Sequence, residues 1–128
     1  MPSETKYHFK GKRRYGAFVT LDNGTKLYLA FRRHNHIYTE SKGKISDALR
    51  SGFAGWALDL NTLFAARARG CTYIAVRVKE NGDYYFTRLE NFFKPRLTKT
   101  INYASKGGSL QKVLSLRHWK IIRAEVSL

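Results

Sequence analysis

His34 and His36 are separated by one residue, a spacing that in an extended chain turns both imidazoles to the same face. Two neutral imidazoles on one face can hold a divalent metal, since each ring offers a lone pair. His8 and His118 stand alone and read as surface or partly buried polar residues. The acids are less suggestive. Two-metal phosphodiester hydrolysis needs carboxylates to hold its ions, and only nine Asp and Glu are present. Asp22, Glu80 and Asp83 fall in predicted turns, and Asp47 and Asp59 at predicted helix starts. No P-loop, Rossmann glycine fingerprint or serine nucleophile elbow occurs. Cys71 is the only cysteine, which rules out an intrachain disulfide and a multi-cysteine zinc site. It opens the apolar run Cys71-Thr72-Tyr73-Ile74, where a thiol behaves as a small buried hydrophobe.

Further on, Tyr103-Ala104-Ser105-Lys106-Gly107-Gly108 is similar to the tyrosine–lysine motif of rolling-circle replication initiators and relaxases. That family nicks single-stranded DNA through a phosphotyrosyl link and carries a two-histidine metal motif on a central strand. The resemblance implies a metal-dependent nickase with His34 and His36 as metal ligands, Tyr103 as nucleophile and Lys106 beside it. Two features depart from the family pattern. The residue between the histidines is the polar Asn35, and Gly107-Gly108 follows Lys106 where a helix is expected. A divalent metal is expected only under this reading, and otherwise no cofactor.

Charge points elsewhere. Lys and Arg number 24 against 9 Asp and Glu, a net charge of +15 on 128 residues. Such an excess destabilises a compact chain by self-repulsion and attracts polyanions. The cations form local clusters: Lys10, Lys12, Arg13 and Arg14; then Arg32 and Arg33; then Arg77 and Lys79, sharing a strand face with Tyr73. Lys94, Arg96 and Lys99 surround Pro95, and Arg117 and Lys120 flank Trp119. Cations that track a phosphate backbone, beside aromatics that stack on bases, are the chemistry of nucleic-acid binding.

These side chains need a scaffold. With 43% hydrophobic residues there is material for a core, which a disordered basic tail lacks. Residues 1–14 read as a basic N-terminal lead-in and 15–128 as one α+β domain. Asp22-Asn23-Gly24 marks the turn of a first hairpin over about 15–38, and Asn81-Gly82 that of a second over about 71–88. In the second, alternation puts Thr72, Ile74, Val76 and Val78 on the core face and Tyr73, Ala75, Arg77 and Lys79 on the other. Ile45, Leu49, Phe53, Trp56 and Leu60 recur at helical spacing, broken by Gly52 and Gly55. The main helix is therefore expected over about 59–69, with Asp59 as N-cap and Gly70 just past its end. A C-terminal strand is expected near 118–126, in a largely antiparallel sheet.

No helix-turn-helix pattern appears, so a sheet or hairpin meeting backbone or single strands is expected rather than a helix in the major groove. The leading expectation is a small basic nucleic-acid-binding protein without catalysis, DNA slightly ahead of RNA, of a kind that suits a phage or mobile element. The alternatives are the nickase above and an inhibitor protein docking on an acidic surface of a host enzyme. The first residues carry no apolar signal core and no stretch is long enough to span a membrane, so an intracellular location without a membrane partner is expected.

Overall fold

The Asp22-Asn23-Gly24 turn joins two strands as expected: Gly24 takes φ 88°, the left-handed conformation that favours glycine. The structure, a computed structural model, describes residues 2–10, 12–39, 53–102 and 109–123, with only the backbone described for Pro2, Ser3 and Lys10. The elements in chain order are β1 (Pro2–Lys10), β2 (Arg13–Leu21), β3 (Lys26–Arg32), β4 (Tyr38–Thr39) and β5 (Ala54–Asp59), then helix α1 (Leu60–Ala68). After the helix come β6 (Tyr73–Val78), β7 (Tyr84–Arg88), two 3₁₀ turns, β8 (Thr98–Asn102), β9 (Leu110–Ser115) and β10 (Lys120–Ile122).

These strands build an α+β fold from two sheets. A six-stranded sheet has the order β1-β2-β3-β6-β7-β10, and a four-stranded sheet the order β4-β5-β9-β8. Among the described residues every pairing is antiparallel except β3 with β6. The chain between those two parallel strands passes through β4, β5 and α1, as a parallel pair requires a long crossover. The helix bounds follow the sequence. The Asp59 carboxylate accepts from the Asn61 N–H at 3.0 Å, and Gly70 takes φ 80° beyond the last turn.

The core lies between the sheets, closed by α1 and the first 3₁₀ turn. Tyr28 and Ala30 from β3 and Ile74, Val76 and Val78 from β6 meet Trp56 and Leu58 from β5 and Leu114 from β9. Leu63 and Ala66 of the helix and Leu89 and Phe92 of the turn complete it. Each large side chain sealed here contributes about 1.5–3 kcal/mol relative to exposure. Alternation in β6 thus puts Ile74, Val76 and Val78 into the core as expected, but Thr72, expected with them, precedes the strand and is exposed.

Four expectations change. The basic segment read as a lead-in forms an edge strand, β1, paired with β2 from Glu4↔Thr20 to Lys10↔Arg13. The first hairpin does not run on to Tyr38: β3 ends at Arg32, where its register with β6 ends as well, and Tyr38–Thr39 joins the other sheet. Of the helically spaced Phe53, Trp56 and Leu60, only Leu60 falls in α1: Trp56 lies in β5, where Ala54, Trp56 and Leu58 fit a period of two and are buried. Gly55 marks the same strand: a Cβ there would overlap the Leu114 carbonyl of β9, a close backbone approach only glycine permits. Lastly, β8 and β9 supply half of a sheet the sequence did not foretell, while β10 covers the start of the expected C-terminal strand. Residues 124–126 of that strand, the 45–52 part of the helical pattern and Lys106-Gly107-Gly108 lie outside the described residues. Among the described residues no helix is long and apolar enough to cross a membrane.

Candidate nucleic-acid interface

Parallel pairing of β3 and β6 brings their carboxyl ends side by side, with Phe31 opposite Arg77 and Arg32 opposite Val78. The start of β2 lies on the other side of β3. Three cation clusters that are remote in sequence therefore converge: Arg13 and Arg14, Arg32 and Arg33, and Arg77 and Lys79. They line one cleft of about 930 Å³. Tyr15, Phe31, His36 and Tyr38 supply its aromatic wall, the buried Trp56 lies beneath it, and Ala57 and Gln111 come from the four-stranded sheet. No carboxylate lines it among the described residues.

Two of the arginines are held in place. The Arg32 guanidinium donates to the carbonyls of Phe31 and Ala57, each at 3.1 Å, and lies over the Tyr15 ring at 5.0 Å. Arg14 is sandwiched between the rings of Tyr7 at 4.8 Å and Phe31 at 4.6 Å. Such contacts orient a guanidinium without neutralising it, so its charge stays available to a ligand. The described ion pairs lie elsewhere, at Lys6–Glu4, Arg88–Glu90 and Arg123–Asp83. None of the six cleft cations is paired with a described acid.

Beneath the cleft the Trp56 indole N–H is buried with no acceptor, the one such side-chain atom among the described residues. Its ring meets Tyr85 edge to face at 5.3 Å. A buried unpaired donor costs about 1–3 kcal/mol, and unsatisfied groups of this kind call for a functional or structural explanation.

The histidine pair keeps its proximity although the strand does not continue. The His34 and His36 rings stack at 5.1 Å, and Glu80 holds the loop by accepting from the Asn35 N–H at 3.1 Å. The same carboxylate lies 4.0 Å from His34 Nδ1. Among the described residues no three His, Cys, Asp or Glu side chains converge to hold a metal. Tyr103 and Lys106 lie outside the described residues. His8, read as a singleton, forms a hydrogen bond through Nδ1 with the Tyr28 hydroxyl at 3.0 Å.

The other sequence-derived residues are dispersed. Lys12 is exposed in the turn before β2, and Lys10 ends β1. Arg96 and Arg117 line a smaller cleft of about 220 Å³ with His118, sharing no residue with the first. Lys94 donates to Asn91 at 3.4 Å, and Lys99 lies 5.3 Å from the Phe53 ring. Tyr73 sits at the far end of β6 from the cleft, under the Arg88 guanidinium at 5.5 Å. Lys120 is exposed opposite Phe86. Trp119 requires a correction. It is only 6% exposed and donates its indole N–H to the Leu114 carbonyl at 3.1 Å, so it is a core residue and not a stacking surface. Cys71 is buried as expected, and burial pushes its thiol above the ordinary range against the opposing pull of Arg69 and Lys26.

Sequence reasoning missed Tyr15, Phe31, Tyr38 and Trp56. Phe31 carried a readable signal, since it alternates with the core residues Tyr28 and Ala30; Tyr38 and Trp56 depend on pairings in the second sheet. The fold and cleft define a class, an α+β protein with a basic, aromatic-walled cleft at the ends of two parallel strands. Comparison with known proteins adds no relative: no family model, curated protein or solved structure matches the chain.

Proposed function

We propose that this chain is a nucleic-acid-binding protein that grips phosphates in the cleft between its two sheets. The observation that carries the reading is the convergence of six cations from three sequence-distant clusters with no acid among the described residues there. Like charges gathered this closely repel one another, and a polyanion relieves that repulsion. Each phosphate they neutralise releases condensed counterions, which supplies affinity without reading sequence. Aromatic walls and fixed guanidinium groups add planar surfaces and directed donors beside the backbone path.

The test is anisotropy of labelled DNA and RNA oligonucleotides across a salt series. Six phosphate contacts predict an affinity loss on the order of 10³-fold between about 50 and about 200 mM salt. Arg13→Gln with Arg33→Gln, two cleft cations that hold no described partner, weakens binding to all sequences and flattens the salt slope by roughly 0.7–0.9 per lost contact. Affinity that is indifferent to salt, or unchanged in this double variant, would sink the reading.

A further inference from the structure

The face of the six-stranded sheet turned away from the core cluster is rich in apolar and aromatic residues. Register places Tyr7, Ala17, Leu29, Ala75, Phe86 and Lys120 in one row across all six strands. A neighbouring row runs Phe31, Arg77, Tyr84 and Ile122. None of these residues belongs to the core between the sheets. Ala17 and Ala75 are each 1% exposed, so the surface the first row offers belongs to Tyr7, Leu29, Phe86 and Lys120. Tyr7 stands 51% exposed at one end. Toward the other end the Tyr84 and Phe86 rings lie nearly parallel, with centroids 5.9 Å apart and planes 14° apart. Four strand spacings separate Tyr7 from Phe86, a span of roughly 19 Å.

The geometry points to this face as a stacking platform for the unpaired bases of a single-stranded nucleic acid whose phosphates run through the cleft. The inference rests on the function proposed above and names the form of polymer. Two observations join cleft and platform. Phe31 and Arg77 belong to both, lining the cleft and forming the row that leads away from it. The rows carry Arg77 and Lys120 and no acid, so their charge complements a phosphate chain and opposes face-to-face contact with a second copy of the same surface. Half-buried rings set in a rigid sheet suit bases because every base has a flat π-face, whereas a duplex keeps its bases stacked inside.

The experiment compares a mixed-sequence single strand with its own duplex at matched salt, using wild type, Tyr84→Leu, Phe86→Leu and the Arg13→Gln/Arg33→Gln protein. The platform predicts single-strand binding at least about tenfold tighter than duplex binding. Each leucine variant should lose about tenfold for the single strand while keeping its duplex affinity and salt slope. Equal affinity for both polymers, or leucine variants that bind like wild type, overturns it. If the cleft variant loses affinity while the leucine variants do not, the cleft reading stands and the platform falls; if wild type binds neither polymer, the cleft reading falls first. Should a leucine variant misfold by circular dichroism, photo-crosslinking of wild type to a bromodeoxyuridine strand decides instead. Crosslinks at Tyr84 or Phe86 support the platform, and crosslinks confined to other strands overturn it. A dimer by light scattering that Phe86→Leu disperses also overturns it, since the face would then belong to a second copy.

Discussion

The Arg32 guanidinium donates to the Ala57 carbonyl at 3.1 Å, tying the end of the six-stranded sheet to the middle strand of its neighbour. One side chain thus braces the two walls of the cleft while presenting charge to it. Lysine has the charge but not the planar fork that reaches Ala57 and Phe31 together. Arg32→Lys is expected to lower stability by about 1–3 kcal/mol, because a partly buried carbonyl loses its donor. Nucleic-acid affinity should fall with it although the net charge is kept. Arg33→Lys, exposed and outside this bracing, should stay within about 0.5 kcal/mol of wild type. Urea denaturation and anisotropy on both proteins check the pair; equal behaviour would show that charge alone matters at position 32.

Gly55 tests the second sheet. A Cβ at this position would meet the Leu114 carbonyl and carbon of the paired strand, which are backbone atoms and cannot swing aside. Gly55→Ala should cost about 1–3 kcal/mol or more, as overpacking does. Gly24→Ala is the control: its φ of 88° is strained for alanine, but nothing lies within 4 Å. Its cost should be near the smaller price of the backbone conformation, about 1 kcal/mol. A denaturation midpoint for Gly55→Ala no lower than that for Gly24→Ala would contradict the β5–β9 register.

Local signals carried much of this fold. The Asn-Gly turns, the Asp59 cap, Gly70 and the alternation of Ile74, Val76 and Val78 each act within a few residues, and each placed its element. The second sheet depends on partners far apart in the chain, since Trp56 finds Leu114 across more than fifty residues. Its spacing from Phe53 and Leu60 satisfies a helix and its spacing from Ala54 and Leu58 a strand, and only that pairing decides. The cleft followed the same logic. Arg13, Arg32 and Arg77 were each visible as members of basic clusters, but their meeting rests on the parallel β3–β6 register. Trp119 beside Arg117 and Lys120 has the composition of a binding surface, yet its burial is set by Leu114 and Phe92.

Alkaline pH provides another test. Tyr28 is fully buried, and burial first, then the neighbouring Tyr15, raises its phenol well above the ordinary value of about 10, with Arg32 opposing. Tyr85 is raised likewise by burial and by Asp83, against Arg123 and a hydrogen bond with Asn35. A folded pKa above the unfolded one means that the stabilising contribution is fully present below about pH 10 and is lost as pH rises toward the folded values. Phenolate absorbance should therefore show Tyr28 and Tyr85 ionising after the exposed tyrosines, with stability flat in this respect up to about pH 10 and falling beyond. Eight tyrosines titrating together in the folded protein would contradict the buried setting of both.

Trp119 separates structural from binding roles among the aromatics. Its indole N–H satisfies the Leu114 carbonyl at 3.1 Å, and its ring meets Phe92 edge to face at 5.7 Å. Phenylalanine at this position keeps an aromatic ring but removes that donor and part of the volume. Trp119→Phe should therefore lose about 1–3 kcal/mol of stability. Its affinity for nucleic acid, corrected for the folded fraction, should remain that of wild type, because a side chain sealed under the surface offers no face to a base. The two readouts move in opposite senses for Arg33→Gln, where stability holds and affinity falls. A Trp119→Phe protein that keeps its full stability but binds several-fold more weakly would place the indole back at the interface, and would require the region around Leu114 to open when the polymer arrives.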